Sequence, residues 1–282
     1  PPADGDRPEN ALTGTIFTVN EGATTGITVP SVDGKMRFWR NTSIANLAAG
    51  QTATLPVGTL GFEWDEDLDN GFRPPGLLRM SSTTVDMSVD YLLDYGTNFG
   101  AGTATHHLAL YRDPISKALV FGGGTVQWSW GLDANHDMGV YGTPAQPADA
   151  RMQQATVNLF ADMGVQPGTL QTSLVSASAS TDTVAPTSTV TFPTAGTNLP
   201  VGSSATVTGT AIDAGGGVVG GVEVTVDGGL TWHPANGRGT WRYTWMPMAA
   251  GSVIIKSRAV DDTGNLENPS AGVSITVGGG DT

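Results

Sequence analysis

The most regular alternation of apolar and polar positions lies near the C-terminus. In "GVEVTVDGG", Val222, Val224 and Val226 fall on one face and Glu223 and Thr225 on the other, with a turn at Asp227, Gly228 and Gly229. "SATVTGTAID" alternates in the same way, and Trp241, Tyr243 and Trp245 share one face of "TWRYTWM". The stretch "SVIIKSRAVDDTGN" can bury Val253, Ile255 and Ala259 while turning Lys256 and Arg258 outward. Six or seven such strands in about 90 residues, with no helical period among them, predict a two-sheet sandwich.

The N-terminal half has a less uniform pattern. Strand-like pieces occur at "GTIFTVN", "GITVP", "TLGFEW", "LLRMSSTTV", "THHLALYR" and "ALVFGGGTVQWSW". One amphipathic helix is clear in "DARMQQATVNLFADMG", where Met152, Ala155, Leu159, Phe160 and Met163 keep helical spacing, Asp149 suits the N-cap and Gly164 the stop. A weaker helix is expected between Arg40 and Ala49. Parallel strands each require a crossover, so strands with only two helices suggest that earlier strand-helix units lie outside this sequence. The opening "PPADGDRPEN" has no Met and reads as an exposed loop, which suggests that the chain is a piece. From Ser173 to Thr189 the chain is small, polar and broken by Pro186, and there the domain boundary is placed: residues 1–172, a linker 173–189 and a sandwich 190–278.

Composition narrows the function classes. Of 282 residues, 26 are acidic and 13 basic, a net charge of -13 that repels phosphate backbones and anionic lipid. Nucleic acid is therefore excluded as a partner, and no apolar stretch of roughly 18 residues argues for membrane insertion. Cysteine is absent, which removes disulfides, thiolate nucleophiles and Cys-ligated metals. Abundant Gly, Thr and Ser with few Lys points to a secreted or cell-surface bacterial protein.

Candidate chemistry centres on "GFEWDEDLDNG", which packs Glu63, Asp65, Glu66, Asp67 and Asp69 into seven positions. A Glu beside a Trp at the end of an apolar strand is placed as a functional group would be. Asp65, Asp67 and Asp69 alternate like the first ligands of a calcium loop, but Asn70 stands at the sixth position and Gly76 at the twelfth, so they read as a solvated acidic turn. His106 and His107 are neighbours on a strand, and only one can face a given site. His136 with Asp133 and Asp137 reads as a capped loop, and His233 as part of the sandwich surface. Gly122–Gly124 follow an apolar strand, yet Gln127 stands where a dinucleotide fingerprint needs its last glycine, and the same Gln127 denies Ser129 a nucleophile elbow. In the sandwich, Asp213, Asp261, Asp262 and Asn265 fall in loops suited to Asx turns or weak calcium binding.

The strings "RPENALTGTIFTVN", "GKMRFWRNT", "TLGFEWDEDLDNG", "GTVQWSWGLDANHD" and "RMQQATVNLFADMG" together resemble the C-terminal half of the catalytic domain in the large subunit of N,N-dimethylformamidase. The segment after the linker resembles bacterial immunoglobulin-like modules, and "GVEVTVDGGLTWHPA" with "SRAVDDTGN" the C-terminal immunoglobulin-like domain of the sulfite oxidase family. The resemblance implies an α/β domain, partial, sheet-rich and amidotransferase-like, followed by an all-β immunoglobulin-like sandwich. It also implies one iron ion held by two tyrosines and a glutamate, with Glu63 at the glutamate's place in "GFEW". Tyr91, Tyr95, Tyr111, Tyr141 and Tyr243 do not stand in motifs expected of the two phenolates, which places those ligands upstream. The implied partners are the upstream part of the same protein and a small amide. A non-catalytic protein that contacts an extracellular polymer through Trp128, Trp130, Trp232 and Trp241 is the alternative.

Overall fold

The computed structural model describes residue 5 and residues 7–21, 24–94, 96–136 and 147–278. The chain divides into two compact units, Pro1–Pro74 with Arg79–Thr181, and Pro75–Leu78 with Asp182–Thr282.

The first unit is sheet-rich and partly helical. Its main sheet orders the strands Trp64–Glu66, Ile16–Val19, Thr83–Leu92 and Phe99–His106, each antiparallel to its neighbour. Two smaller antiparallel pairs join Thr28–Pro30 to Thr52–Thr54 and Ala109–Arg112 to Leu119–Gly122. Trp39, Trp64, Ile27, Leu60 and Leu108 are fully enclosed and form the core. The Trp39 indole N–H, which burial would otherwise leave unsatisfied, donates to the Met80 carbonyl at 2.8 Å.

The helix Ala150–Asp162 starts at Asp149, whose side chain accepts from the Arg151 N–H, and Gly164 follows its end with a left-handed φ of 80°. Met152, Ala155 and Leu159 face inward as their spacing requires, but Phe160 is 47% exposed and Met163 38%. Gln154, Asn158 and Ala161 occupy the rest of the buried face. Asn158 donates to the carbonyls of Phe38 and Arg40, so the helix is docked by amide chemistry as well as by apolar area. Asp162 completes the docking with Arg37 at 2.7 Å and Arg40 at 2.9 Å.

Two local expectations need correction. In place of a helix over 40–49 there is a short 3-10 turn, Ser43–Asn46, nucleated by the Thr42 side chain accepting from the Ile44 N–H. In place of a strand through "TVQWSW" there is the 3-10 turn Trp128–Gly131. There the Thr125 hydroxyl accepts from the Gln127 N–H, and Trp128 packs edge-on to Phe121, contacts that an extended strand would forfeit.

The second unit is an all-β sandwich. One sheet orders Thr187–Phe192, Ala205–Ile212, Thr240–Trp245 and Asn236–Gly237. The other orders Asn198–Pro200, Val273–Gly278, Gly251–Asp261, Val219–Thr225 and His233–Pro234. Val207, Val222, Val224, Trp241, Ile255 and Ile275 fill the space between them. Glu223 is also buried, and its cross-strand partner Arg258, on the same face away from the core valines, meets it at 2.7 Å with its guanidinium 4.1 Å from the Trp232 ring centre.

Trp241 fits only because Gly209 lies opposite it. A Cβ at Gly209 would sit 2.0 Å from Trp241 Cζ2 and 2.2 Å from the Thr189 carbonyl oxygen. Gly209→Ala is accordingly expected to destabilise this unit by at least about 1–3 kcal/mol through overpacking, read as a lower urea midpoint in tryptophan fluorescence.

Candidate functional site

The acidic stretch is a short strand and its continuation. Trp64–Glu66 pairs with Ile16–Val19 on one side. On the other, the Asp65 N–H donates to the Gly124 carbonyl and the Val126 N–H to that of Glu63. Alternation along the strand sends Asp65 and Glu66 to opposite faces, and Asp67 follows the end of the strand. Asp65 shares a face with its cross-strand partner Phe17, and its Oδ2 accepts from the Thr15 hydroxyl at 2.8 Å. Glu63, Asp65 and Glu9 line an open cleft of about 630 Å³ together with Phe17, Phe121 and the Gly122–Gly124 backbone. Burial raises the pKa of Asp65, the Thr15 hydrogen bond opposes that rise, and the nearby Glu9 and Glu63 carboxylates add to it.

Glu66 and Asp67 are inside the unit. Glu66 accepts from the Tyr91 hydroxyl at 3.2 Å and from the Thr105 N–H at 2.5 Å. Burial, then the Glu66 carboxylate, raises the pKa of Tyr91. Asp67, 4% exposed, meets Arg79 at 2.8 Å, His107 Nδ1 at 2.7 Å and Arg73 at 3.5 Å. Burial alone would raise its pKa, but the His107 hydrogen bond and the arginines outweigh it and hold the carboxyl well below the usual range. The reading of residues 65–69 as a solvated turn is therefore corrected: Asp69 alone of the acids at 65, 66, 67 and 69 is exposed. The signal available in the sequence was the alternation of Trp64 and Glu66, but the partners that make burial affordable lie at residues 15, 73, 79, 91, 105 and 107.

His106 ends the strand Phe99–His106 and His107 follows it, and the two rings meet different partners. His106 is fully buried beside Trp64, with Nε2 2.9 Å from the Gly123 carbonyl oxygen. That contact requires a proton on Nε2 and leaves Nδ1 as the bare nitrogen of a neutral ring. Burial lowers its pKa from 6.5 to about 4, and the Gly123 contact opposes only part of that fall.

The remaining candidates are dispersed. His136 stacks on Trp130 with ring centres 4.6 Å apart, while Asp133 caps the Asn135 N–H and Asp137 lies outside the described residues. Ser129 is exposed within a 3-10 turn. The Tyr111 hydroxyl donates to the Leu12 carbonyl, Tyr243 stacks on His233, and Tyr95 and Tyr141 are outside the described residues. Trp241 is core, and Trp232 lies under Arg258.

In the sandwich, Asp182, Asp213 and Asp261 bring carboxylate oxygens within 4.8 Å of one another, a donor set that a cation can use. Asp182 was missed in the sequence because it stands in the presumed linker. Asx-type bonding is present as well: Asp213 accepts from the N–H groups of Gly215 and Gly217, and Asp261 from those of Thr263 and Asn265.

Two outcomes follow for the first unit. Asp67→Asn leaves Arg79 and Arg73 facing a neutral amide and should cost about 3–5 kcal/mol in chemical denaturation. For His106 the unfolded chain binds the extra proton between its two pKa values, so stability should fall as pH drops from about 6.5 toward about 4. His106→Phe should remove that component, about one proton, from the pH dependence of the denaturation midpoint.

Comparison with known proteins gives two matches to families. Residues 2–140 match the family described as N,N-dimethylformamidase beta subunit-like, C-terminal, and residues 186–277 match the bacterial Ig domain. None of the curated proteins matches the chain. Among solved structures, the chain is similar to fibronectin(III)-like modules of CbhA from Clostridium thermocellum, at 20% identity and a TM-score of 0.29, over 33% of this chain and 46% of that one. It is also similar to the PKD domain of an M14-like peptidase from Thermoplasmatales archaeon SCGC AB-540-F20, at 14% identity and a TM-score of 0.26, over 33% of this chain and 92% of that one. At those TM-scores neither likeness bears on fold or function. The chain thus carries, over residues 2–140, a domain like that of the N,N-dimethylformamidase beta subunit-like, C-terminal family, followed over residues 186–277 by a bacterial Ig-like domain.

Proposed function

We propose that this chain is the C-terminal portion of a secreted, dimethylformamidase-like, metal-dependent amide hydrolase, inactive by itself, with the division 1–172, linker 173–189 and 190–278. The observation that carries the reading is the position of Glu63 at the head of the acidic strand, lining an open cleft beside Asp65. Both are hard oxygen donors of the kind an iron ion accepts. Among the described tyrosines, Tyr91 bonds Glu66, Tyr111 bonds Leu12 and Tyr243 belongs to the sandwich, which supports phenolate ligands supplied by an upstream segment. When bound, the metal would activate water and polarise the amide carbonyl. The part left to this chain is to supply the Glu63 carboxylate, to fix its backbone through Val126, and to wall one side of the cleft with Phe17 and Phe121.

The test compares the isolated chain with the chain co-expressed with its upstream coding region. The chain alone should contain no stoichiometric iron and hydrolyse no simple amide, whereas the pair should hold iron and hydrolyse the amide. Glu63→Gln in the pair should abolish iron retention. Amide turnover by the isolated chain, or full iron occupancy in the Glu63→Gln pair, removes the reading.

The cofactor reading for the sandwich is weak calcium at Asp182, Asp213 and Asp261, supported by the proximity of the three carboxylates. Calcium near the weak, extracellular end of its affinity range, about 10⁻⁴–10⁻³ M, should raise the melting temperature, and Asp213→Asn should cancel the rise. An unchanged melting temperature discards it.

A further inference from the structure

We propose that the outer face of the sandwich is a peptide-binding groove whose ligand is an extended segment from the first half of the chain, Pro75–Leu78. These four residues belong to the second compact unit although they stand far from Asp182 in sequence. The sheet itself shows the need for a ligand. Val222 and its cross-strand partner Ala259 face the opposite sheet, so Gly221 with Val260 and Glu223 with Arg258 share the outer face. The outer face of an antiparallel sheet packed on one side is ordinarily wet and polar. Here Val260 is 2% exposed and Glu223 5%, and Val260 is not among the residues that fill the space between the sheets. Pro75–Leu78 lies over this face.

The segment is recognised through its backbone. Gly76 donates its N–H to Glu223 Oε1 at 3.0 Å, while Glu223 Oε2 accepts from Arg258 Nε at 2.7 Å. A hydrogen bond to a carboxylate held in this way is stronger than one between neutral groups. Missing side chains let the two backbones approach. A Cβ at Gly220 would lie 3.3 Å from Leu78 Cβ, and one at Gly221 3.6 Å from the Leu77 carbonyl oxygen. Gly220 is also the extra residue where the register shifts between Val219 and Gly221, a bulge that bends the strand at the groove. On the segment, Gly76 has a left-handed φ of 68°, and a Cβ there would come 3.3 Å from Leu266 Cδ1 and 3.5 Å from Val260 Cγ2. Leu77 and Leu78 are 2% and 1% exposed. The groove thus selects a glycine whose N–H reaches Glu223, followed by apolar residues. Residues 182–282 alone lack this part of their own fold.

The inference does not rest on the amide-hydrolase reading, and its test reads no activity. The experiment is native-state amide hydrogen exchange of the full chain, followed residue by residue in magnetic resonance spectra. In the unaltered chain the Gly76 amide should be protected. Gly221→Leu, which places a side chain in the groove, should speed its exchange about tenfold or more, the scale of one hydrogen bond to a charged group. Gly221→Ala, whose Cβ meets only ordinary contacts, should leave it close to the unaltered rate. The amide of Val224, a fully buried residue of the same strand, should stay protected in both variants and reports that the sandwich is folded. Gly76→Ala makes the same test from the segment's side without altering the sandwich strands, and it carries the test if Gly221→Leu does not fold. It too should speed exchange at position 76. An unprotected Gly76 amide in the unaltered chain, or unchanged protection at position 76 in folded Gly221→Leu or Gly76→Ala, would overturn the proposal.

Discussion

The first unit depends on keeping one carboxylate charged where water cannot reach it. Asp67 has two arginines and a histidine around it, drawn from residues 73, 79 and 107. Replacing water around an ion requires several well-placed donors, and few arrangements of the chain can supply them together. The strand Trp64–Glu66, which ends just before Asp67, presents Asp65 to the surface of a cleft. Buried compensation on one side of the segment therefore fixes the position of the charges that remain available on the other.

The alternation in the sandwich was legible because both of its faces are built from local period-two patterns. Val222 and Val224, Ile255 and Ala259, and Trp241 were all readable as core, and all are buried. The helix near residue 155 was legible from its cap and stop. What was not legible is chemistry that depends on partners distant in sequence. Nothing near Asp67 announces that Arg79 and His107 will enclose it, and nothing in the linker-like run before Pro186 announces that Asp182 will join Asp213 and Asp261. Phe160 shows the converse error. Its spacing assigns it to the core, but Asn158 takes the adjoining inward position because two open carbonyls there need a donor.

The match to families agrees with the residues that carried the resemblance, most of which lie between 7 and 140. Within that span the conspicuous acids separate into three environments: a cleft for Glu63 and Asp65, a tyrosine and backbone clasp for Glu66, and an ion-paired interior for Asp67. A run of like residues in sequence is thus not one site. Alternation along the strand separates Asp65 from Glu66, the end of the strand separates Asp67 from both, and each part has to be weighed by what it faces.

The outer strands of the sandwich have a further consequence. On one sheet they are Asn198–Pro200 and His233–Pro234, and on the other Asn236–Gly237 and Thr187–Phe192. Three of these margins are two or three residues long and two of them end in proline, which offers no N–H to an approaching strand. The fourth is six residues long and displays Thr187, Thr189 and Thr191 outward. A module finished in this way resists zipping to copies of itself, and it leaves one polar margin along which backbone pairing could extend.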